Sequence, residues 1–194
     1  GNTIEVGDGA SIRANTGSVS FDRTVYPVPF DSDDFSEHST ASGSFDLATG
    51  SVVVHISIEE SDADVSAFGE DSISSSLIDV KISRGSLISA NLASTTATIL
   101  ETEPSSGIFE YDLTLASNVI ASSGTFASTA VINQGDIITV TYTDAQDASG
   151  KSQTVTDSSS FDLRNGTLQA DKSVYLIGSD MILTLIEPDF DLDN

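Results

Sequence analysis

One sequence pattern occurs twice in this chain, and it limits the folds that the chain can adopt. Gly17–Val28 reads GSVSFDRTVYPV and Gly166–Ile177 reads GTLQADKSVYLI, an offset of 149 residues. A second match, at an offset of 129 residues, aligns Ser51–Asp64 with Asp180–Asp193. Internal self-similarity of this kind is typical of repeat proteins. We therefore predict a tandem array whose units each begin with two strands followed by acidic residues.

The two offsets divide the 194 residues into one complete unit and part of another. Residues 17–164 form the complete unit, and residues 165–194 contain the first two strands of the next one. Because the offsets differ by 20, the complete unit carries an insertion at about residues 30–50. Residues 1–16 are a linker or the end of a preceding repeat. Two strands cannot enclose a core, so we predict that the second repeat is truncated and that the array is longer.

Apolar periodicity predicts that the complete unit is all-β. In Ser51–Ile58 the residues Val52, Val54, Ile56 and Ile58 share one face, which is the alternation of a half-buried strand. No segment shows sustained helical periodicity, and turn signals separate the apolar runs. The pattern therefore predicts a β-sandwich of seven to nine strands. The predicted strands are Ser18–Tyr26, Ser51–Ile58, Leu77–Ser83, Thr95–Glu101, Gly107–Leu115, Ile137–Tyr142 and Lys151–Thr156.

The charge balance excludes several classes of partner. The chain has 7 basic and 30 acidic residues, a net charge of −23. Nucleic acids require Lys and Arg to displace their counterions, so we expect no nucleic-acid partner. An acidic surface attracts cations instead. The chain has no cysteine, which excludes disulfides and thiolate metal sites, and no run of apolar residues long enough to insert directly into a membrane.

Several phrases together resemble a known family. They are DRTVYPV and DKSVYLIG, then LTLIEPDFDLD, ILETEPSSGIFEYDLTL and NQGDIITVTYTDAQDASGK. This series is similar to the immunoglobulin-like repeats of archaeal surface-layer (S-layer) proteins, most closely those of ammonia-oxidising archaea. The resemblance covers the complete unit and the start of the next. Two features depart from the family pattern: the insertion, and a first acidic loop that has a glutamate where the family has its first aspartate.

The resemblance implies an extracellular structural protein of the cell surface. Its repeats are immunoglobulin-like β-sandwiches that assemble with other copies of the same protein into a porous two-dimensional lattice, often with divalent cations. Similar repeats form the stalks of large bacterial surface adhesins, so an adhesin stalk is the alternative function. An accessory module of a carbohydrate-active enzyme is a third class.

The acidic loops are candidate sites for a structural calcium ion. Calcium binds six to eight hard oxygen ligands, and alternate carboxylates supply several of them within one short segment. Solvated loop acidity is the alternative, and recurrence in both copies favours the metal site. The two triplets, which the alignment makes equivalent, are Glu60, Asp62, Asp64 and Asp189, Asp191, Asp193. Further candidates are the pair Asp144 and Asp147, predicted to meet the loop of the next unit, and the group Asp31, Asp33 and Asp34.

The remaining candidate residues favour a structural role. His38 and His55 belong to no nucleophile motif such as Gly-x-Ser-x-Gly, and we predict that the chain is not an enzyme. Tyr26 and Tyr175 end the first strand of each copy, where a ring packed at the edge of the core is expected. Asn165 begins the one Asn-x-Ser/Thr sequon, which is a glycosylation site or an unmodified linker.

Overall fold

The first unit consists of two β-sheets that pack face to face. A computed structural model of the chain describes residues 14–30, 50–89, 91–93, 96–116 and 131–190. The first sheet has the strand order β1-β3-β8 and the second has the order β2-β10-β9-β5-β6. A small sheet of β4 and β7 lies beside them. The strands are β1 (Ser18–Phe21), β2 (Val25–Pro27), β3 (Val52–Glu59), β4 (Ser72–Ser74), β5 (Ile78–Arg84), β6 (Leu87–Ile88), β7 (Thr98–Leu100), β8 (Ile108–Leu115), β9 (Ile137–Asp144) and β10 (Gln153–Asp162).

The predicted all-β character is confirmed. Apolar residues at alternate positions along the strands form the core. The four apolar residues of β3 that were expected on one face are each 1% exposed or less. β5, β8 and β9 present their own buried apolar residues to this face, so both sheets contribute to one apolar cluster. The first unit contains ten described strands, eight in the two main sheets and two in the small sheet, so the expected number of seven to nine is too low. Burial of β-branched and aromatic side chains between sheets supplies most of the free energy that stabilises such a fold.

The first predicted strand, Ser18–Tyr26, is two strands in different sheets. β1 pairs with β3, whereas β2 runs parallel to β10. The chain crosses between the sheets at Asp22, whose carboxylate accepts a hydrogen bond from the Tyr26 hydroxyl. At the end of β1 the backbone N–H of Phe21 donates to Asp157 of β10 at 2.8 Å. Tyr26 is fully buried, as predicted for its ring, while Tyr175 is half-buried.

The last strand of the unit is longer than predicted. We expected it to end at Thr156, but β10 continues to Asp162. Residues 153–160 pair antiparallel with β9, and residues 160–162 pair with β2. Within the polar segment DSSSFD, Ser159 and Phe161 point inward and are buried. The sheet neighbours on both sides therefore overcome the low strand propensity of this segment.

The insertion begins and ends at adjacent points in the fold. Phe30 and Gly50 form an isolated bridge, in which each backbone N–H donates to the carbonyl of the other at 3.0 and 2.9 Å. Residues 31–49, which include the candidate ligands Asp31, Asp33 and Asp34, lie outside the described residues.

The second copy repeats the hairpin of β1 and β3. Its strands are β11 (Thr167–Ala170) and β12 (Leu183–Ile186), and they pair with each other. Thr167 lies opposite Ile186, as Ser18 lies opposite Glu59 in the first copy. The second strands therefore correspond at an offset of 127, and the predicted offset of 129 is wrong by two residues. The predicted offset would place Pro188 opposite Thr167, and proline has no N–H to donate to a ladder.

The two hairpins differ in how much of their apolar surface is covered. Leu183 and Leu185 are 56% and 65% exposed, whereas their counterparts Ile56 and Ile58 are buried. In the first unit the opposing sheet covers this face of the hairpin. Within the described residues, no second sheet lies over β11 and β12.

Candidate functional site

A buried carboxylate follows β3 and connects the two sheets. Glu60 is 4% exposed, and its Oε2 accepts a hydrogen bond from the Tyr142 hydroxyl of β9 at 3.1 Å. Its Oε1 accepts from the backbone N–H of Asp62 at 3.2 Å. A Cβ at Gly17 would lie 2.5 Å from Glu60 Oε2 and 2.9 Å from the Tyr142 ring. The entering chain can therefore approach Glu60 closely only because residue 17 is glycine.

A second buried carboxylate, Asp144, lies beside Glu60. Asp144 is 2% exposed, and it accepts the backbone N–H of Gly17 at 3.0 Å and that of Gln146 at 2.8 Å. Both residues line a cavity of about 440 Å³ together with Asp62, Ile73 and Leu77. The prediction that Asp144 meets the loop of the next unit is wrong, because Asp144 lies against the acidic loop of its own unit.

The buried surroundings shift the pKa values of Glu60 and Tyr142. Burial raises the pKa of Glu60 and outweighs the opposing effect of its hydrogen bonds from Asp62 and Tyr142. The charges of Asp144 and Asp62 also raise the pKa of Glu60. Burial and the neighbouring Glu60 raise the pKa of the Tyr142 hydroxyl far above its usual value. Tyr142 therefore remains a hydrogen-bond donor to Glu60 throughout the physiological range.

The carboxylate of Asp62 accepts a hydrogen bond from the backbone of the segment that precedes β1. Its Oδ2 accepts the backbone N–H of Asn15 at 2.7 Å, at an exposed position. Within the predicted triplet of Glu60, Asp62 and Asp64, the first two carboxylates thus accept hydrogen bonds from the protein.

Asp147 shapes its own turn. One carboxylate oxygen accepts the hydroxyl and the backbone N–H of Ser149 at 2.6 and 2.8 Å and the backbone N–H of Lys151 at 3.0 Å. These bonds, the Ser149 hydroxyl above all, lower the pKa of Asp147. Asp144 and Asp147 therefore have separate hydrogen-bonding partners.

The third member of the triplet, Asp64, belongs to a different cluster. Carboxylate oxygens of Asp64, Asp71 and Glu101 all lie within 4.8 Å of one another. Asp71 and Glu101 were not predicted as ligands from the sequence, because Asp71 lies outside the alternating triplet and Glu101 is 37 residues from Asp64 along the chain. Folding brings the acidic loop, the start of β4 and the end of β7 together. In the sequence, Glu101 stood out only as part of the phrase ILETEPSSGIFEYDLTL, which carries the family resemblance.

The protein fixes two of these three carboxylates in place. Asp71 Oδ2 accepts the backbone N–H groups of Val65 and Ser66, each at 2.7 Å. Glu101 accepts the backbone N–H of Asp71 at 3.0 Å through Oε2 and that of Gly107 at 2.6 Å through Oε1. These hydrogen bonds lower the pKa of Glu101 and keep it ionised.

The donor set of this cluster fits a hard cation. Desolvation raises the pKa of Asp64, and the charges of Glu101 and Asp71 add to the rise. A cation would remove this repulsion, and carboxylate oxygens are the ligands that calcium prefers. Asp64, Asp71 and Glu101 are therefore the described residues that can hold a metal ion.

The acidic loop of the second copy repeats that of the first. At the observed offset of 127, the counterparts of Glu60 and Asp62 are Glu187 and Asp189. Asp189 accepts the backbone N–H of Arg164 at 2.8 and 3.1 Å, and its own backbone N–H donates to Glu187 at 3.3 Å. Asp191 and Asp193 lie outside the described residues. Continued along the sequence, the offset of 127 aligns Asp191 with Asp64, so the predicted equivalence of Asp189, Asp191 and Asp193 with the first triplet is corrected by two residues.

Two other predicted features have defined places. Asn165 is exposed, next to Arg164 and between β10 and β11, so its sequon is accessible and its glycosylation stays a prediction. His55 lies on the outer face of β3, with Nδ1 2.7 Å from Asp112 Oδ1 of β8. His38 lies outside the described residues.

Comparisons with known proteins leave the site to be judged on its own geometry. Neither a known protein family nor a curated protein matches the chain. Within the described residues, no helix has the length and apolar character needed to cross a membrane.

We predict that Glu60→Gln becomes more favourable relative to wild type as the pH rises from 4 to 7. The folded-state pKa of Glu60 is raised, so its contribution to stability is complete below the usual glutamate value and is lost as the pH rises through the folded value. Glutamine keeps the acceptor for Asp62 without the charge. Urea unfolding followed by circular dichroism at both pH values, without divalent cations, measures the difference.

Glu110→Gln, at an exposed position of β8, is the control and should show no such trend. Equal destabilisation of Glu60→Gln at both pH values would contradict the account, because it would mean that folding leaves the pKa of Glu60 unchanged.

Proposed function

We propose that this chain is part of a tandem array of immunoglobulin-like repeats in an extracellular S-layer protein. Copies of the protein would assemble into a porous, anionic lattice on the cell surface that divalent cations stabilise. The observation that carries the tandem array is the recurrence of one construction, and the surface-layer identity rests on the sequence resemblance. Both copies have the same hairpin register, the same tyrosine hydroxyl donating to an aspartate four residues earlier, and the same aspartate accepting a linker N–H.

The strand order of the first unit supports the immunoglobulin-like assignment. Its first strand is divided between the sheets, β1 pairing with β3 and β2 running parallel to the last strand, β10. The second sheet continues through β9 and β5 to β6 by antiparallel pairing. Two antiparallel sheets whose connections cross between them are characteristic of immunoglobulin-like sandwiches.

The exposed hairpin of the second copy supports the array. β11 and β12 expose Leu168, Leu183 and Leu185 at the positions of Val19, Ile56 and Ile58 in the first copy, and large exposed apolar patches mark surfaces that become covered. An opposing sheet like that of β10, β9 and β5 would cover it and complete a second sandwich.

The charge supports a structural role at the cell surface. With a net charge of −23, the units repel one another unless cations bridge or screen their carboxylates. Pores lined by such units would admit small cations more readily than anions. The function would thus be mechanical and electrostatic, with no catalytic step.

The cluster of Asp64, Asp71 and Glu101 is the calcium site that we propose for the complete unit. It connects the acidic loop to β4 and to the hairpin between β7 and β8, which three repelling carboxylates would otherwise push apart. Calcium there would hold the end of the sandwich together, with backbone carbonyls and water completing the shell.

We predict that calcium raises the melting temperature of the chain and that Asp64→Asn abolishes most of the rise. A ligand that binds only the folded state stabilises it by about 2.7 kcal/mol at a hundredfold excess over its dissociation constant. Calorimetric titration and thermal melting, each with calcium and with magnesium, measure the effect.

Glu70→Gln is the matched control for this test, because it removes one exposed charge from the same loop outside the cluster. It should retain the calcium response. Equal effects of both metals, or an undiminished calcium response in Asp64→Asn, would show that the carboxylates act only as a diffuse coat.

The lattice itself is tested on intact source cells with gold-labelled antibodies raised against this chain. We expect dense label at regular spacing over the outer surface, and loss of label into the medium after chelation of divalent cations. Thin sections of the same cells are labelled in parallel, and label confined to the cell interior would overturn the proposal. Sparse label on projecting fibres would instead establish the adhesin stalk.

A further inference from the structure

The same main-chain contact occurs where the chain enters each copy. In the first copy the N–H of Asn15 donates to Asp62 at 2.7 Å, and in the second the N–H of Arg164 donates to Asp189 at 2.8 and 3.1 Å. The two donors are related by the offset of 149 residues, and the two acceptors by the offset of 127. The contact therefore belongs to the repeating construction and is independent of the insertion.

Neighbouring groups hold the accepting aspartate in position in both copies. Its own N–H donates to the glutamate two residues earlier, at 3.2 Å in the first copy and 3.3 Å in the second. The glutamate in turn packs against a glycine, where a Cβ would lie 2.5 Å away at Gly17 and 2.2 Å away at Gly166. Each glycine follows the bound N–H by two residues. A glutamate, an aspartate and a glycine thus form one notch for an extended chain.

We propose that this notch is a latch that binds the main chain of the entering segment and fixes the direction from which the preceding repeat is connected. The proposal rests on the proposed array for the identity of what precedes each copy. The latch binds a backbone N–H, so Asn15 and Arg164 serve equally well despite their different side chains. Repeats joined by linkers of different sequence can therefore use the same latch.

The second latch lies close to the end of the first sandwich, and this short distance limits motion between the sandwich and the second hairpin. Only Leu163 separates the end of β10 from the bound N–H of Arg164. The 3₁₀ turn Pro188–Phe190, which contains Asp189, also lies beside β2. With one free residue between strand and latch, the first sandwich and the second hairpin have little freedom to pivot.

In the first acidic loop, the latch and the proposed calcium site use different aspartates. Asp62 binds the linker, while Asp64 points to Asp71 and Glu101. The linker contact is thus predicted to persist without divalent cations, which separates it from the proposed calcium site.

The test compares amide hydrogen exchange in wild type, Asp62→Ala and Asp189→Ala by nuclear magnetic resonance, with a chelator present. We expect Asp189→Ala to speed exchange at Arg164 about tenfold, since hydrogen bonds to ionised acceptors are the stronger class, and to leave Asn15 unchanged. Asp62→Ala should have the reverse effect. Each variant is the control for the other, and unchanged exchange at Val54 and Val140 reports an intact core.

A second measurement reports the freedom of the junction directly. Trypsin cleaves after Arg164, and the rate of this cleavage relative to cleavage after the exposed Lys151 should rise about tenfold in Asp189→Ala and stay at the wild-type value in Asp62→Ala. Unchanged exchange and cleavage in Asp189→Ala would overturn the latch, whatever the location of the protein in the cell. Conversely, failure to find a surface lattice would leave these results intact and refute only the proposed function.

Discussion

The first unit depends on a carboxylate that is buried where its two sheets meet. Glu60 directly follows β3 of the first sheet. Its carboxylate accepts a hydrogen bond from Tyr142 of the opposing sheet and packs against Gly17 of the entering chain. A buried charge is costly unless hydrogen bonds replace its water. The site provides one donor to each oxygen, and the residual cost appears as the raised pKa of Glu60. This single group thus fixes how the sheets, the acidic loop and the entering chain meet.

Sequence patterns were sufficient where the structure depends on local alternation. The strict alternation of β3 predicted its buried face, whose four apolar residues are each 1% exposed or less. The split between β1 and β2 was not predictable in this way, since the apolar pattern continues through Asp22. The polar end of β10 was missed because its strand character comes from β2 and β9, its neighbours in the sheet.

The candidate sites show the same limit. Sequence reasoning assigned a metal site to the loop after β3 because the acidic residues recur there, and metal binding by that loop stays a prediction. It treated alternate carboxylates as one ligand set, whereas the fold directs Asp62 to the linker and Asp64 to Asp71 and Glu101. Which carboxylate accepts an N–H and which faces another charge depends on contacts between distant segments. The two-residue error in aligning the second loop had the same origin, since only the pairing of β11 with β12 determines it.

The central claim is that the chain contains two copies of one structural construction. Cross-strand nuclear Overhauser effects between β11 and β12 test it most directly. The account predicts contacts of Thr167 with Ile186 and of Leu168 with Leu185, the counterparts of Ser18 with Glu59 and Val19 with Ile58. Contacts shifted by two residues, or an absence of any pairing between these segments, would contradict the equivalence of the copies and with it the latch and the array.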